Sequence, residues 1–242
     1  MSLEISLTNK KTGAGICMLL YGPSNAGKTH AGGTLPEGRV LFIDFERSTT
    51  TLKNKKHHVV HVDALEYSKE KEPFTKFLTD MMTLIEKIKN KSKYEYIVID
   101  TLTEFESIAV SLLSDEKGFD FPRLKEYGEG AVITRKIIRI FRSLCGHGIH
   151  VVFLANERII EKTRSERIIS SVIAPEFTQN LALSCSKYFD IVGRVRYNPK
   201  TGNRGIQFNG SDRTFVARTR IPLDAFESTD LNVLFQKVSK GE

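Results

Sequence analysis

The segment Gly22–Thr29 constrains the fold of this chain more than any other part of its sequence. It reads GPSNAGKT and fits the pattern G-x-x-x-x-G-K-[ST] without a mismatch. The apolar stretch ICMLLY (16–21) comes directly before it, and a helix is predicted to begin near Lys28. A loop of this pattern between a buried strand and a helix is typical of α/β domains with a parallel sheet.

The same segment predicts a phosphate-binding loop. Backbone N–H groups of the loop and of the helix start can surround phosphate oxygens, and glycine permits a close approach of the backbone. The Lys28 ammonium is expected against the β and γ phosphates, and the Thr29 hydroxyl is expected to ligate Mg²⁺. ATP is the expected nucleotide because the guanine-reading pattern N-K-x-D of GTPases is absent. The predicted nucleotide-binding residues are Gly22, Pro23, Ser24, Asn25, Ala26, Gly27, Lys28, Thr29 and His30.

Apolar strand candidates alternate with helix candidates over much of the chain. The strand candidates are 16–21, 39–44, 57–62, 94–100 and 148–157. The spacing of apolar residues predicts helices over 73–89, 103–113 and 130–145, with an exposed loop over 115–127. Continuous apolar strands of this kind indicate a mostly parallel central sheet with helices on both faces.

The character of the sequence changes after Glu157. A basic polar stretch (158–167) and a short helix (175–184) lead to three strand candidates, which are 189–198, 204–209 and 213–220. These strands are predicted as antiparallel hairpins that extend the same sheet. The chain is therefore predicted to form one α/β P-loop domain over 1–242, with an N-terminal segment at 1–14 and an antiparallel extension at 189–221.

Polar residues at strand ends are candidates for chemistry beside the loop. The strand YEYIVID ends in Asp100, which is predicted to hold Mg²⁺ through water or, alternatively, to cap the next helix. FIDFE carries Asp44 and Glu46 on one face if the strand continues, so one of them can deprotonate the attacking water; the alternative is a solvated strand end. Asn156 either positions water near the γ phosphate or forms an ordinary turn.

The net charge of the chain indicates a class of partner, and its cysteines indicate a cellular compartment. Lys and Arg number 36 against 29 Asp and Glu, and the resulting net charge of +7 is compatible with an anionic partner such as nucleic acid. The three scattered cysteines favour reduced, buried thiols. Since neither a signal peptide nor a membrane-spanning run is apparent, a cytoplasmic protein without membrane contact is expected. The histidines at 57, 58 and 61 lack a zinc-binding spacing and indicate a surface strand.

The sequence resembles the RecA-like P-loop ATPases of phages, namely the AAA-type phage nucleotide-binding proteins and the Sak-type recombination ATPases. The matching features are GPSNAGKT, FIDFE, IVID, a strand ending in LANE, KYFDIVGRVRY and VARTR, and they span Ile16 to Ile221. The resemblance implies a RecA-like fold in which Lys28 and Glu46 are catalytic. It also implies that Arg218 and Arg220 match basic residues that reach the γ phosphate of a neighbouring subunit, although many such proteins carry Lys where this chain has Arg218. An exposed edge strand with protective charges is the alternative for this pair.

The resemblance further implies partners. In RecA-like proteins the loop after the fifth strand contacts single-stranded DNA, and the matching bases here are Arg158, Lys162, Arg164 and Arg167. Interleaved glutamates and the lack of an aromatic residue leave a solvated hairpin as the alternative. A homo-oligomer, either ring or filament, is implied, and a single-strand-binding protein is a further candidate partner. If the protein is phage-encoded, the expected compartment is the host cytoplasm.

Three functions therefore remain open from the sequence. The first is a DNA-stimulated ATPase of phage recombination or replication, which acts as an oligomer on single-stranded DNA. The second is a small-molecule P-loop kinase in which Arg158, Arg164 and Arg167 close over the phosphoryl acceptor. The third is a nucleotide-dependent assembly module with little turnover. Glu46 and the C-terminal strands favour the first function over the kinase.

Overall fold

The computed structural model describes residues 14–91, 93–164, 167–197, 202–208 and 214–240. The strands within them are β1 (Cys17–Gly22), β2 (Val40–Asp44), β3 (His58–His61), β4 (Tyr96–Asp100), β5 (His150–Arg164), β6 (Arg167–Pro175), β7 (Ile191–Tyr197), β8 (Arg204–Gln207), β9 (Arg218–Thr219) and β10 (Phe226–Ser228). The α-helices are α1 (Lys28–Gly32), α2 (Ala64–Tyr67), α3 (Pro73–Lys91), α4 (Leu102–Glu116), α5 (Leu124–Ser143), α6 (Gln179–Ser184) and α7 (Leu231–Lys240). Except for its last residue, the predicted N-terminal segment 1–14 lies outside the described residues.

The strand order places the ends of the predicted functional strands side by side. The order is β10-β8-β7-β1-β5-β4-β2-β3, with β6 paired to β5 and β9 paired to β7. β5 lies between β1 and β4 and is parallel to both. β2 is parallel to β4 and β3. The mostly parallel central sheet predicted from the sequence is confirmed, and the carboxyl ends of its strands form one edge, which is where ligands bind in such sheets.

Each face of the sheet carries its own apolar core. Leu19 and Tyr21 of β1 belong to a cluster that includes Phe105 of α4 and further residues of α3 and α5. Met18 belongs to the cluster on the other face, which includes Phe235 of α7. Because successive strand residues point to opposite faces, a strand covered on both sides must be apolar throughout, as β1 is. Buried free thiols, as predicted, are found at Cys17, Cys145 and Cys185.

The C-terminal strands differ from the prediction in direction and extent. β7 pairs in parallel with β1, so the antiparallel extension begins only at β8. The physical reason is that residues of β7 are buried on both faces, which suits an inner strand. β9 has two residues instead of the predicted strand 213–220, whose first residue lies outside the described part. Helix α7, which packs on the sheet through its apolar residues, was not predicted.

Two segments predicted as loops are regular structure. The basic stretch after Glu157 belongs to a hairpin, which the sequence analysis gave as the alternative to a DNA-binding loop, because β5 continues to Arg164 and pairs antiparallel with β6. The exposed loop predicted over 115–127 is shorter in the structure, because α4 extends to Glu116 and α5 begins at Leu124. The start of α5 is stabilised by Glu126, whose carboxylate accepts a hydrogen bond from the Arg123 amide at 3.1 Å.

Candidate nucleotide-binding site

The phosphate-loop segment leaves the carboxyl end of β1, an inner strand that is parallel to both of its neighbours, β7 and β5. Gly22 is required by close packing, because an added Cβ would lie 2.3 Å from the Val195 carbonyl oxygen of β7. Gly27, directly before α1, has a φ of 95°, which L side chains rarely adopt. Asn25 also has a positive φ, of 63°. The loop therefore has the backbone conformation that the motif predicts, and its shape depends on β7 as well as on β1.

Lys28 is folded against the loop that it follows. Its side chain is buried, and Nζ donates to the carbonyl oxygens of Gly22 and Pro23, each at 3.0 Å. Burial lowers the pKa of Lys28, while the charges of Glu46 and Asp100 oppose that shift. The ammonium group is thus held by weak carbonyl partners within the loop, where a phosphate oxygen is a stronger acceptor.

Asp100 ends β4 next to the loop, as predicted. Its Oδ2 atom accepts hydrogen bonds from the hydroxyls of Thr29 at 2.8 Å and Ser48 at 3.0 Å. Oδ1 is buried, and no hydrogen-bond partner for it is found among the described residues. Burial raises the pKa of Asp100 to about 6, and the neighbouring carboxylates of Glu46 and Asp44 add to the increase.

These features fit a hard divalent cation. A buried carboxylate oxygen for which the described residues offer no partner is costly. Burial raises the pKa of Asp100 because it disfavours the charged carboxylate, and a bound cation would favour that charged form. Mg²⁺ prefers oxygen ligands and is commonly held by one carboxylate, a hydroxyl and the phosphates of its nucleotide. Asp100 and Thr29 would hold the ion, with Ser48 as a residue that the sequence analysis missed.

Glu46 lines the same cavity as the loop, and its carboxylate accepts hydrogen bonds from two donors. The Thr101 hydroxyl donates to Glu46 Oε1 at 2.6 Å, and the Asn156 side-chain amide donates to the same atom at 3.5 Å. Asn156 is at the register position of Gly22 in the β1–β5 ladder, which explains why it reaches the site. Thr101, which follows Asp100, is a site residue that the sequence analysis does not predict, and it caps α4 in place of Asp100.

Asp44 and Glu46 do not share one face of an extended strand, as the sequence had suggested. β2 ends at Asp44, which is fully buried, whereas Glu46 is exposed. The chain turns because Asp44 Oδ1 accepts the amides of Glu46 at 3.1 Å and Ser48 at 3.2 Å. Asp44 Oδ2 also lies 3.1 Å from Nδ1 of His61. Asp44 therefore shapes the turn that presents Glu46, and Glu46 is the acid available for chemistry.

One cavity of about 380 Å³ collects these groups. The predicted residues that line it include Lys28, Thr29, Glu46, Asp100 and Asn156. Arg204 of β8 lines it too. No local sequence pattern points to Arg204, because it reaches the loop only through the pairing of β8 with β7. The cavity thus combines a phosphate loop, a cation site and a carboxylate that can accept a proton from water.

Arg218 and Arg220 are not brought into this cavity. β9 pairs with Ile191 and Val192, at the amino end of β7, whereas the phosphate loop lies at the carboxyl edge. Arg218 donates to the Ser186 carbonyl oxygen at 3.3 Å, and Arg220 lies 3.5 Å from Asp190 Oδ1. A residue that acts on a neighbouring subunit need not lie beside its own loop, so the role across an interface stays a prediction.

The predicted DNA-contacting residues lie on the β5–β6 hairpin. Arg158 is exposed, and its guanidinium donates to the Phe177 carbonyl oxygen at 3.3 Å. Its neighbour Glu157 forms a two-pronged ion pair with Arg194 at 2.8 and 3.0 Å. The side chains of Lys162, Arg164 and Arg167 lie outside the described part of the chain, so their contacts stay predictions.

The phosphate loop, the strand-terminal Asp100 and the order of the parallel strands define a P-loop, ATPase-type nucleotide-binding domain. The model of the AAA domain family matches residues 14–221, and the chain belongs to that family. No curated protein matches the chain. Among the residues that the structure describes, every helix is too short or too polar to serve as a transmembrane span.

Proposed function

We propose that the protein is a Mg²⁺-dependent ATPase that acts on single-stranded DNA. The observation that supports hydrolysis is the position of Glu46, which shares the loop cavity with Lys28, Thr29 and Asp100. A domain that only bound nucleotide would need no carboxylate held by two donors at this place. Glu46 is the proposed general base.

Each side chain has a separate part in this mechanism. Lys28 leaves its carbonyl partners and binds the β and γ phosphates, where it stabilises the charge that develops on the transferring group. Thr29 and Asp100 would hold Mg²⁺, which would supply positive charge to neutralise the phosphates. Glu46 accepts the proton of the attacking water. Thr101 and Asn156 fix the carboxylate through Oε1.

The test of hydrolysis compares two variants with the wild type. Lys28→Ala is expected to lose both nucleotide binding and turnover. Glu46→Gln keeps the size of the side chain but cannot accept a proton, so it should bind ATP normally and turn over roughly 10²–10⁴-fold more slowly. Turnover of Glu46→Gln at the wild-type rate would exclude Glu46 as the base.

The proposed link to DNA rests on the continuity of β5. The strand carries Asn156 at the site and, two positions later, exposed Arg158 at the start of the hairpin. A polyanion that binds the hairpin can therefore displace the amide that holds Glu46. Phage recombination or replication is the proposed setting, and a homo-oligomer is the proposed active form.

Phosphate release with and without single-stranded DNA, at low and moderate salt, tests the DNA step. Stimulation that weakens with salt is expected, because contacts to phosphates release counterions. Asn156→Ala should reduce the stimulation more than it reduces the basal rate. Hydrolysis that is indifferent to DNA would contradict the proposal. Transfer to a small acceptor would then favour the kinase, and binding without turnover would favour the assembly module.

A further inference from the structure

A second cavity opens beside the phosphate loop and takes no part in the mechanism above. Its volume is about 630 Å³, and it is lined by the end of β7, the start of β8, and β10 with its following residue. It shares His30 and Arg204 with the loop cavity. These two side chains therefore stand at the junction between the two spaces.

Arg204 lies directly against the loop. A Cβ placed on Gly27 would be 3.1 Å from both Cδ and Nη1 of Arg204. Gly27 precedes Lys28 in the motif, so the guanidinium is positioned where loop-bound phosphates arrive. A planar guanidinium is well suited to bind phosphate oxygens.

Tyr197 brings an aromatic surface to the second cavity. It is directly opposite Arg204 in the antiparallel β7–β8 ladder, and opposite residues share one face of a sheet. Tyr197 is 55% exposed. A Cβ placed on Gly202 would lie 3.6 Å from its hydroxyl, so the side chain reaches Gly202, which also lines the cavity.

The orientation of the triphosphate in the loop cavity determines which part of the nucleotide reaches the second cavity. Glu46 and Asn156 line only the loop cavity, whereas His30 and Arg204 line both cavities. If Glu46 activates the attacking water, the γ phosphate lies near Glu46, and the opening shared by His30 and Arg204 is left for the nucleoside. We infer that the second cavity binds the nucleoside of the bound nucleotide, with Tyr197 against the base and Arg204 on the phosphates. This inference rests on the proposed function.

The experiment compares two ligands that differ only by the nucleoside. Affinities for a non-hydrolysable ATP analogue and for inorganic tripolyphosphate, both with Mg²⁺, are measured by calorimetry. Tyr197→Ala should weaken binding of the analogue by roughly tenfold, the usual scale of base stacking, and should leave tripolyphosphate binding unchanged. Tyr197→Phe, which keeps the ring, should bind both ligands like the wild type. Phe121→Ala, which removes an aromatic side chain that is 80% exposed outside the cavity, is the matched control.

The outcomes separate the inference from the proposed function. Tyr197→Ala that leaves the affinity for the analogue unchanged, or lowers both affinities equally, would overturn the nucleoside assignment. Arg204→Gln should weaken both ligands, and wild-type affinities in this variant would overturn the phosphate contact. Lys28→Ala should lose both ligands. If it binds both normally, the loop itself is not the phosphate site and the proposed function fails first.

Discussion

At the scale of single residues, the site depends on one carboxylate, that of Asp100, which the fold keeps buried at a cost to its charged form. Asp100 is fully buried, and burial raises its pKa from 3.8 to about 6. The folded protein therefore binds this proton more tightly than the unfolded chain does. The stability contributed by Asp100 is present below about pH 4 and is lost as the pH rises to about 6, when no cation is bound.

Because the charged form of Asp100 destabilises the folded protein, we can predict the effect of Asp100→Asn. The amide keeps the shape and can still accept hydrogen bonds from Thr29 and Ser48, but it carries no charge. Without metal at pH 7, the variant should be more stable by about 1–3 kcal/mol, measured by urea unfolding. It should also lose the Mg²⁺-dependent part of ATP binding. The stability difference should largely vanish near about pH 4.5, and a less stable variant at pH 7 would contradict the argument.

Thr101 is predicted to be a positioning residue for Glu46. Its hydroxyl donates to Glu46 at 2.6 Å and accepts the Glu104 amide at 3.2 Å. Thr101→Val should lower turnover by about tenfold or more with little change in ATP affinity, because a hydrogen bond to a charged group is lost. It should also cost about 1 kcal/mol of stability through the lost helix cap.

Thr101→Ser retains the hydroxyl and is the control. Its turnover and its melting temperature should both be close to those of the wild type. Loss of stability in Thr101→Val without any loss of turnover would leave Thr101 as a helix cap alone.

At the scale of elements, the parts predicted well are those whose signal is local. The period of apolar residues located α3, and the motif located β1 and the start of α1. The start of α5 was missed because the stretch 115–127 contains a proline and is typical of an exposed loop, whereas the cap formed by Glu126 lies within that stretch. Arg204 was missed for another reason, since its position depends on strand pairing, which no local pattern encodes.

The two glycines of α5 predict opposite effects of one substitution. A Cβ on Gly128 would meet nothing within 4 Å, whereas a Cβ on Gly130 would lie 2.3 Å from Val110 Cγ2 of α4. Gly128→Ala should therefore stabilise the protein by about 0.5–1 kcal/mol through helix propensity. Gly130→Ala should destabilise it by about 1–3 kcal/mol, because α4 and α5 must separate.

Thermal or urea unfolding of these two variants, side by side, is the measurement. Since both changes add the same methyl group to the same helix, each variant is the control for the other. Equal effects of the two substitutions would show that α4 and α5 do not approach as closely as described.

At the scale of the whole molecule, the two edges of the parallel sheet carry different groups. The carboxyl edge holds the loop cavity, and the amino edge holds Arg142 and Arg220 around Asp190, at 2.6 and 3.5 Å. Asp190 also accepts the amide of Cys17, the first residue of β1. Because Arg142 makes the closer ion pair, Arg220 can be replaced while Asp190 keeps a partner. This basic edge is the proposed surface that meets the triphosphate of a neighbouring subunit.

Complementation between two inactive variants tests whether Arg220 acts across such an interface. Arg220→Ala should bind ATP normally and hydrolyse it slowly, since a positive charge near the transferring phosphoryl group is missing. Lys28→Ala cannot bind ATP but retains Arg220. In a mixed oligomer, a Lys28→Ala subunit supplies Arg220 to the intact loop of an Arg220→Ala subunit, so mixing should restore part of the activity. The same mixing experiment with Arg218→Ala tests whether Arg218 also acts on the neighbouring subunit. Two results would contradict this role of Arg220. One is hydrolysis by Arg220→Ala at the wild-type rate, and the other is a mixture that is no more active than the two variants measured separately.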